Sequence, residues 1–148
     1  MAVFQKHAIC CAMDSYRSLD VWKIAHEASC LTYRSCDKAY QGKARSIFDQ
    51  LRRAALSVEA NVVEGYALGT SALCGRHLRI ALGSAAEAEC LVRVADELGY
   101  LPHNVCEELE ALFGRAMQML RRLLRNPPPA PTHDARRTTD GLLTHANG

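Results

Sequence analysis

The run from Phe48 to Gly65 constrains this chain more than any other segment, because its two stripes fit only one backbone period. Ile47, Leu51, Ala54, Ala55, Val58 and Val62 recur at three- and four-residue steps, which stacks them on one face of an α-helix. Gln50, Arg53, Ser57, Asn61 and Glu64 recur at steps of three, four, four and three, and form a polar stripe beside that face. A solvated face is ordinarily dressed in long, interchangeable charges. This stripe mixes Arg, Ser, Asn and Glu, which can bond one another and a neighbouring helix. It reads as a packed polar seam or a binding surface, with solvated decoration as the plainer alternative.

The helical period continues along the chain. Leu19, Trp22, Ala25, His26, Ser29 and Tyr33 place a first helix from Ser18 to Lys38, with Ser18 or Asp20 as its cap. Gln41-Gly42 breaks it. A second helix runs from Ala44 to Tyr66, with Gly65 and Gly69 expected as left-handed residues at its end. Thr70 or Ser71 caps a third, which reaches Leu98 through Leu78, Leu82, Ala85, Ala86, Leu91, Val94 and Leu98. Gly83 in the Gly83-Ser84-Ala85-Ala86 patch is expected to permit close backbone approach, since glycine inside a helix costs about 1 kcal/mol relative to alanine. Gly99 closes this helix. Pro102 stands near the next start, and Asn104 with Glu107 resembles a capping box. The fourth helix runs to Asn126 through Leu109, Leu112, Phe113, Met117, Leu120 and Leu124, and Pro127-Pro128-Pro129-Ala130-Pro131 ends it. No strand alternation competes. The expected fold is all-α: a flexible arm over 1–17, an antiparallel up-down-up-down four-helix bundle over 18–126, and a disordered Pro-rich tail over 127–148.

Composition narrows the function classes. The 148 residues suit one domain, and 49% hydrophobic residues with only 6% aromatics favour helices rich in Ala and Leu. A net charge of +2 neither demands nor excludes a nucleic-acid partner, so any such contact must come from local clusters or oligomer symmetry. No run of apolar residues is long enough to span a bilayer, and Met1 to Met13 lacks the pattern of a signal peptide. Seven cysteines without framework spacing point to a reducing, cytoplasmic setting, with Cys10-Cys11 as two free thiols.

Candidate chemistry is sparse. Di-iron bundles need Glu-x-x-His pairs, and the chain has none. Cys74-x-x-His77 and His103-x-x-Cys106 are each half a zinc site, so neither a metal nor another cofactor is expected. Ser57 and Ser84 are mid-helix, where hydroxyls usually bond back to the preceding turn, and no nucleophile elbow or phosphate loop appears. An enzyme is therefore not favoured. His26, on one face with Trp22 and Tyr33, reads as a packed histidine with one satisfied nitrogen. Basic residues cluster at Lys43, Arg45, Arg52 and Arg53, at Arg76, Arg79 and Arg93, and at Arg115, Arg121, Arg122 and Arg125. They serve solubility and the helix dipole, or they contact phosphates. Too few aromatics remain for a stacking platform, so contact with RNA or DNA would be sequence-independent.

Several segments together carry a resemblance: Leu19-Asp20-Val21-Trp22-Lys23-Ile24-Ala25-His26, Gln50 to Val58, Asn61-Val62-Val63-Glu64-Gly65, Ala81 to Glu87, and Leu98-Gly99-Tyr100. In order and spacing, over roughly 18–124, the chain resembles the four-helix-bundle proteins encoded inside intervening sequences of bacterial 23S ribosomal RNA. The resemblance implies a cytosolic homopentameric ring. It extends to the accessory variability determinant of diversity-generating retroelements, which partners a reverse transcriptase and binds nucleic acid through a basic surface. Two departures stand out. Glu59 occupies a position where the family commonly has proline, and Tyr66-Ala67-Leu68-Gly69-Thr70-Ser71 replaces a lysine-rich turn. Arg53, Asn61, Glu64 and Glu87 match family positions, which implies with Ser57 a polar network between helices or subunits.

The function expected from all this is a non-enzymatic, nucleic-acid-binding accessory protein working as a ring, in which symmetry multiplies each modest basic patch. Arg52, Arg76, Arg79, Arg121, Arg122 and Arg125 are the expected phosphate contacts, and a reverse transcriptase is the partner implied by the resemblance. The rival is a structural or protein-binding oligomer whose arginines are solvated or paired.

Overall fold

The computed structural model describes residues 16–67 and 70–126. A 3-10 turn (Tyr16–Ser18) leads into α1 (Asp20–Lys38), and a second (Gly42–Ala44) leads into α2 (Arg45–Ala67). Then follow α3 (Ser71–Glu97) and α4 (His103–Arg125). Among the described residues there is no strand, and the four helices form one bundle. The expected tail and residues 1–15 of the expected arm lie outside the described residues. Tyr16 belongs to the first turn and packs edge-on against Trp22.

The apolar stripe of α2 is the side it turns inward. Leu51, Ala54, Ala55, Val58 and Val62 are buried with Phe48, while Ile47 packs partly buried against them. Opposite stand Leu109, Phe113, Ala116 and Leu120 of α4, all fully buried. Each large side chain so removed from water contributes about 1.5–3 kcal/mol. The seam of α3 differs from the expected one. Cys74, Leu78, Ala81, Ala85, Ala88, Val92 and Ala95 are buried at alternating steps of four and three. Of the expected set, Leu82 and Leu91 are only partly buried, Val94 is half-buried, and Ala86 and Leu98 are exposed. Alanines hold most of this seam, so a reading weighted by hydrophobicity selects the larger leucines on its flanks.

α2 packs most extensively on α3, followed by α3 on α4, α1 on α2 and α1 on α4. Each helix thus touches the two beside it. Hydrogen bonds fix the registers. Along α2, Gln50, Ser57 and Asn61 meet Glu87, Ser84 and His77 of α3. Along α3, Arg93 and Asp96 meet Glu110 and His103 of α4. In both pairs, numbers rise on one helix as they fall on the other.

The glycines and caps bring corrections. Gly65 is an interior residue of α2 without positive φ, and it is buried. A Cβ there would lie 3.2 Å from the Cβ of His77 and 3.4 Å from the carbonyl oxygen of Cys74. The close approach expected at Gly83 therefore occurs at Gly65, since a Cβ at Gly83 would meet nothing within 4 Å. Gly69 lies outside the described residues. Gly99 has φ of 65° and ends α3. Thr70 caps α3 by accepting from the N–H of Leu73. Neither Ser18 nor Asp20 caps α1: Leu19 is the boundary residue, and Asp20, already helical, pairs with Lys23. The Asn104–Glu107 box is absent because α4 begins at His103, with Pro102 before it.

Candidate nucleic-acid interface

Between α2 and α3 the polar stripe forms two groups of hydrogen bonds, one around Gln50 and one around Asn61. Arg53 donates to Gln50, whose amide donates to Glu87. Asn61 Nδ2 donates to the carbonyl and hydroxyl oxygens of Ser57, and Ser57 Oγ lies 2.8 Å from Ser84 Oγ. That orientation leaves Asn61 Oδ1 as the acceptor, so His77 Nδ1 carries the hydrogen directed at it over 2.9 Å. Glu64 Oε2 lies 3.3 Å from the same nitrogen. The hydroxyls of Ser57 and Ser84 meet across the helix pair, contrary to the expected bonding back into their own turns.

The five expected residues thus fall into two groups: Arg53 and Glu87 meet through Gln50, while Ser57, Asn61 and Glu64 meet through His77 and Asn61 itself. The middle of the seam, Ser57, Asn61, Ser84 and His77, is part-buried, whereas Arg53, Glu64 and Glu87 are exposed. Charge pairs at such exposed ends contribute at most about 1 kcal/mol each. The seam therefore sets register through its part-buried middle. Sequence reasoning missed His77 and Ser84 as members, although they stand one heptad apart on the flank of α3 facing α2.

The six candidate arginines fall into two groups. Arg52 has a side chain only 16% exposed; it donates to Asp37 and Asp49, and its guanidinium lies over the Tyr33 ring. Two carboxylates already occupy it. Arg76, Arg79, Arg121, Arg122 and Arg125 are exposed and make no ion pair with a described residue. The register set by Arg93–Glu110 and Asp96–His103, carried along the pair one residue for one, brings 76–79 of α3 beside 121–125 of α4. Five arginines distant in sequence are therefore placed at the same end of the α3–α4 pair. Arg122 and Arg125 also lie in the last turn of α4, where cations complement the helix dipole.

The opposite end of this face is neutralised. Arg93 bridges Glu89 and Glu110, and His103 lies between Asp96 and Glu107. The hydrogen bond to Asp96, followed by the charges of Asp96 and Glu107, raises the pKa of His103 above its ordinary 6.5.

His26 differs from the packed histidine expected. Its side chain is half exposed, and both nitrogens have partners: Glu59 at Nδ1 and Cys30 at Nε2. Of the two half-zinc pairs, Cys74 is buried, and His77 and His103 face the partners already named. Among the described residues no three His, Cys, Asp or Glu side chains are arranged to hold a metal ion. No helix among them is long and apolar enough to cross a membrane.

The family model of the 23S rRNA-intervening sequence proteins matches residues 17–122, and the chain belongs to that family. No curated protein matches it. The matched segment covers all four helices up to the last turn of α4.

Proposed function

We propose that this member of the 23S rRNA-intervening sequence protein family is a non-enzymatic accessory protein that binds RNA or DNA through phosphate contacts. The observation that carries the reading is that Arg76, Arg79, Arg121, Arg122 and Arg125 are exposed, none neutralised by a described carboxylate, and fall by register at the same end of the α3–α4 pair. Guanidinium groups suit phosphate oxygens, and an exposed cluster attracts a polyanion without reading its bases. The opposed numbering of paired helices supports the antiparallel up-down-up-down topology. A homopentameric ring in the cytoplasm, with a reverse transcriptase as protein partner, completes the proposal as the family resemblance implies it. Ring symmetry would repeat the cluster around an axis and offset the low net charge.

The test is binding to structured RNA and to duplex DNA across a salt series, with mass measured by light scattering on the same sample. The affinity should fall log-linearly with salt, and Arg121→Ala/Arg122→Ala should lower the slope by about 2 for duplex DNA. An oligomer with no binding at low salt would favour the rival, a protein-interaction scaffold. The exposed Leu73 and Ile80, one heptad apart on α3, are the observation on its side.

A further inference from the structure

A second cluster lies on the α1–α2 flank, away from the arginines. Glu59 Oε1 is 2.9 Å from His26 Nδ1, and Cys30 Sγ is 3.7 Å from His26 Nε2. Donor and acceptor chemistry assigns the roles. A carboxylate only accepts, so Nδ1 carries the hydrogen. The neutral imidazole then presents its lone pair at Nε2, and the Cys30 S–H donates to it. Helical spacing brings Cys30 and His26 together, since residues four apart lie one above the other. Trp22, one turn earlier, stacks on the imidazole with centroids 4.9 Å apart and 18° between planes. The ring is thereby oriented by a carboxylate on α2 and an indole on α1.

The geometry points to Cys30 as a hydroperoxide-reactive thiol, with His26 as its proton acceptor and Glu59 and Trp22 as positioning residues. The Sγ–H proton passes to Nε2. The thiolate attacks one peroxide oxygen, the S–O bond forms and the O–O bond breaks. The departing hydroxide takes the proton back from Nε2 and leaves as water. Cys30 becomes a sulfenic acid, oxidised by two electrons, and the peroxide is reduced. An acyl substrate fits less well. The N–H groups around Cys30 are mid-helix and committed to the α1 ladder, so none is available as an oxyanion hole. By helical spacing the charged residues beside the pair on α1 are Lys23, Glu27 and Arg34; on α2 Glu59 faces His26, and Arg52, two turns earlier, is held by Asp37 and Asp49.

The other thiols supply the contrast. Burial pushes Cys36 and Cys106 up to about 11, so both stay protonated at neutral pH. Cys90 is exposed and has no imidazole partner among the described residues, while Cys30 is only partly exposed. Exposure alone would make Cys90 the faster thiol, and the imidazole would make Cys30 the faster.

The experiment treats the reduced full-length protein at pH 7 with limiting iodoacetamide, and separately with hydrogen peroxide plus dimedone, and reads each cysteine by peptide mass spectrometry. Cys30 should alkylate about tenfold faster than Cys90 and take the larger share of dimedone adduct. In urea the ratio should fall to about one, because unfolding separates Glu59 from His26 and frees the imidazole. His26→Gln should bring Cys30 below Cys90. Glu59→Gln should slow it a few-fold, and Glu59→Asp should restore part of the loss, with helicity checked for each variant. If Cys90 reacts as fast as Cys30 in the folded wild-type protein, the imidazole does not activate the thiol and the inference fails without any variant. Fast alkylation without a dimedone adduct would overturn the hydroperoxide assignment.

Discussion

Arg79 and Arg93 stand two heptads apart on the same face of α3, yet their surroundings are opposite. At one end of the α3–α4 pair, Glu89 and Glu110 flank Arg93, and Asp96 and Glu107 flank His103. At the other end, Arg79 and Arg76 stand by a stretch of α4 carrying Arg121, Arg122 and Arg125, with no carboxylate bridging to any of them among the described residues. One helix thus uses the same residue type as a strut at one end and as uncompensated charge at the other. The difference lies in Glu89 one turn before Arg93 on α3 and in what α4 presents opposite. Like charges on one surface repel one another, so these arginines add nothing to folding, and in the proposed function they are what a polyanion would meet.

The largest expected effect comes from reversing charge at the free end. Arg121→Glu/Arg122→Glu should weaken RNA binding about a hundredfold at low salt while leaving the urea midpoint almost unchanged. Arg93→Glu should leave binding intact, and equal losses from the two ends would break the comparison. Next in size is Gly65→Val, which forces a side chain against His77 and the carbonyl of Cys74 where α2 meets α3. It should cost about 1–3 kcal/mol by urea unfolding.

Asn61→Ala removes the group that joins Ser57 to His77 and should cost about 1–2 kcal/mol, whereas Glu64→Ala at the exposed end of the same seam should cost at most about 0.5 kcal/mol. A loss at Glu64 equal to that at Asn61 would mean the exposed charges, not the part-buried middle, hold the seam. Arg93→Ala should cost under about 1 kcal/mol and Arg79→Ala about nothing, which a pair of melting curves resolves.

The smallest effect is a pH dependence at the paired end. His103 is fully exposed, and its hydrogen bond to Asp96 raises its folded pKa above 6.5. Its contribution is therefore fully present below the unfolded value and is lost as pH rises through the folded one. The melting temperature of the wild-type protein relative to His103→Gln should fall slightly across that window and be flat below it. An NMR titration of His103 at or below 6.5 would contradict the sign.

Much of the architecture was legible in the residues. Period and punctuation placed four helices, with Thr70 and Gly99 among the boundaries, because capping and left-handed turns depend on residues close in sequence. The seam of α3 was less legible, since its alanines carry little hydrophobic weight and gain their place only when α2 and α4 close on them. The cap expected at Asn104 failed because Pro102 already sets the start of α4 two residues too early for it. Arg52 and Arg79 look alike in sequence, and nothing local says that Asp37, on α1, will occupy one of them.

Sequence alone determined the helical period, the four segments and the family, since each is carried by spacing along one chain. Tertiary structure decided which charges are left over. Whether an arginine meets a carboxylate depends on the register between helices. That register is set by residues such as Ala85, Gly65 and Ser57 meeting partners many residues away. The same holds for Cys30: its imidazole neighbour comes from α1, but the carboxylate that orients that imidazole comes from α2 and meets it only in the folded bundle.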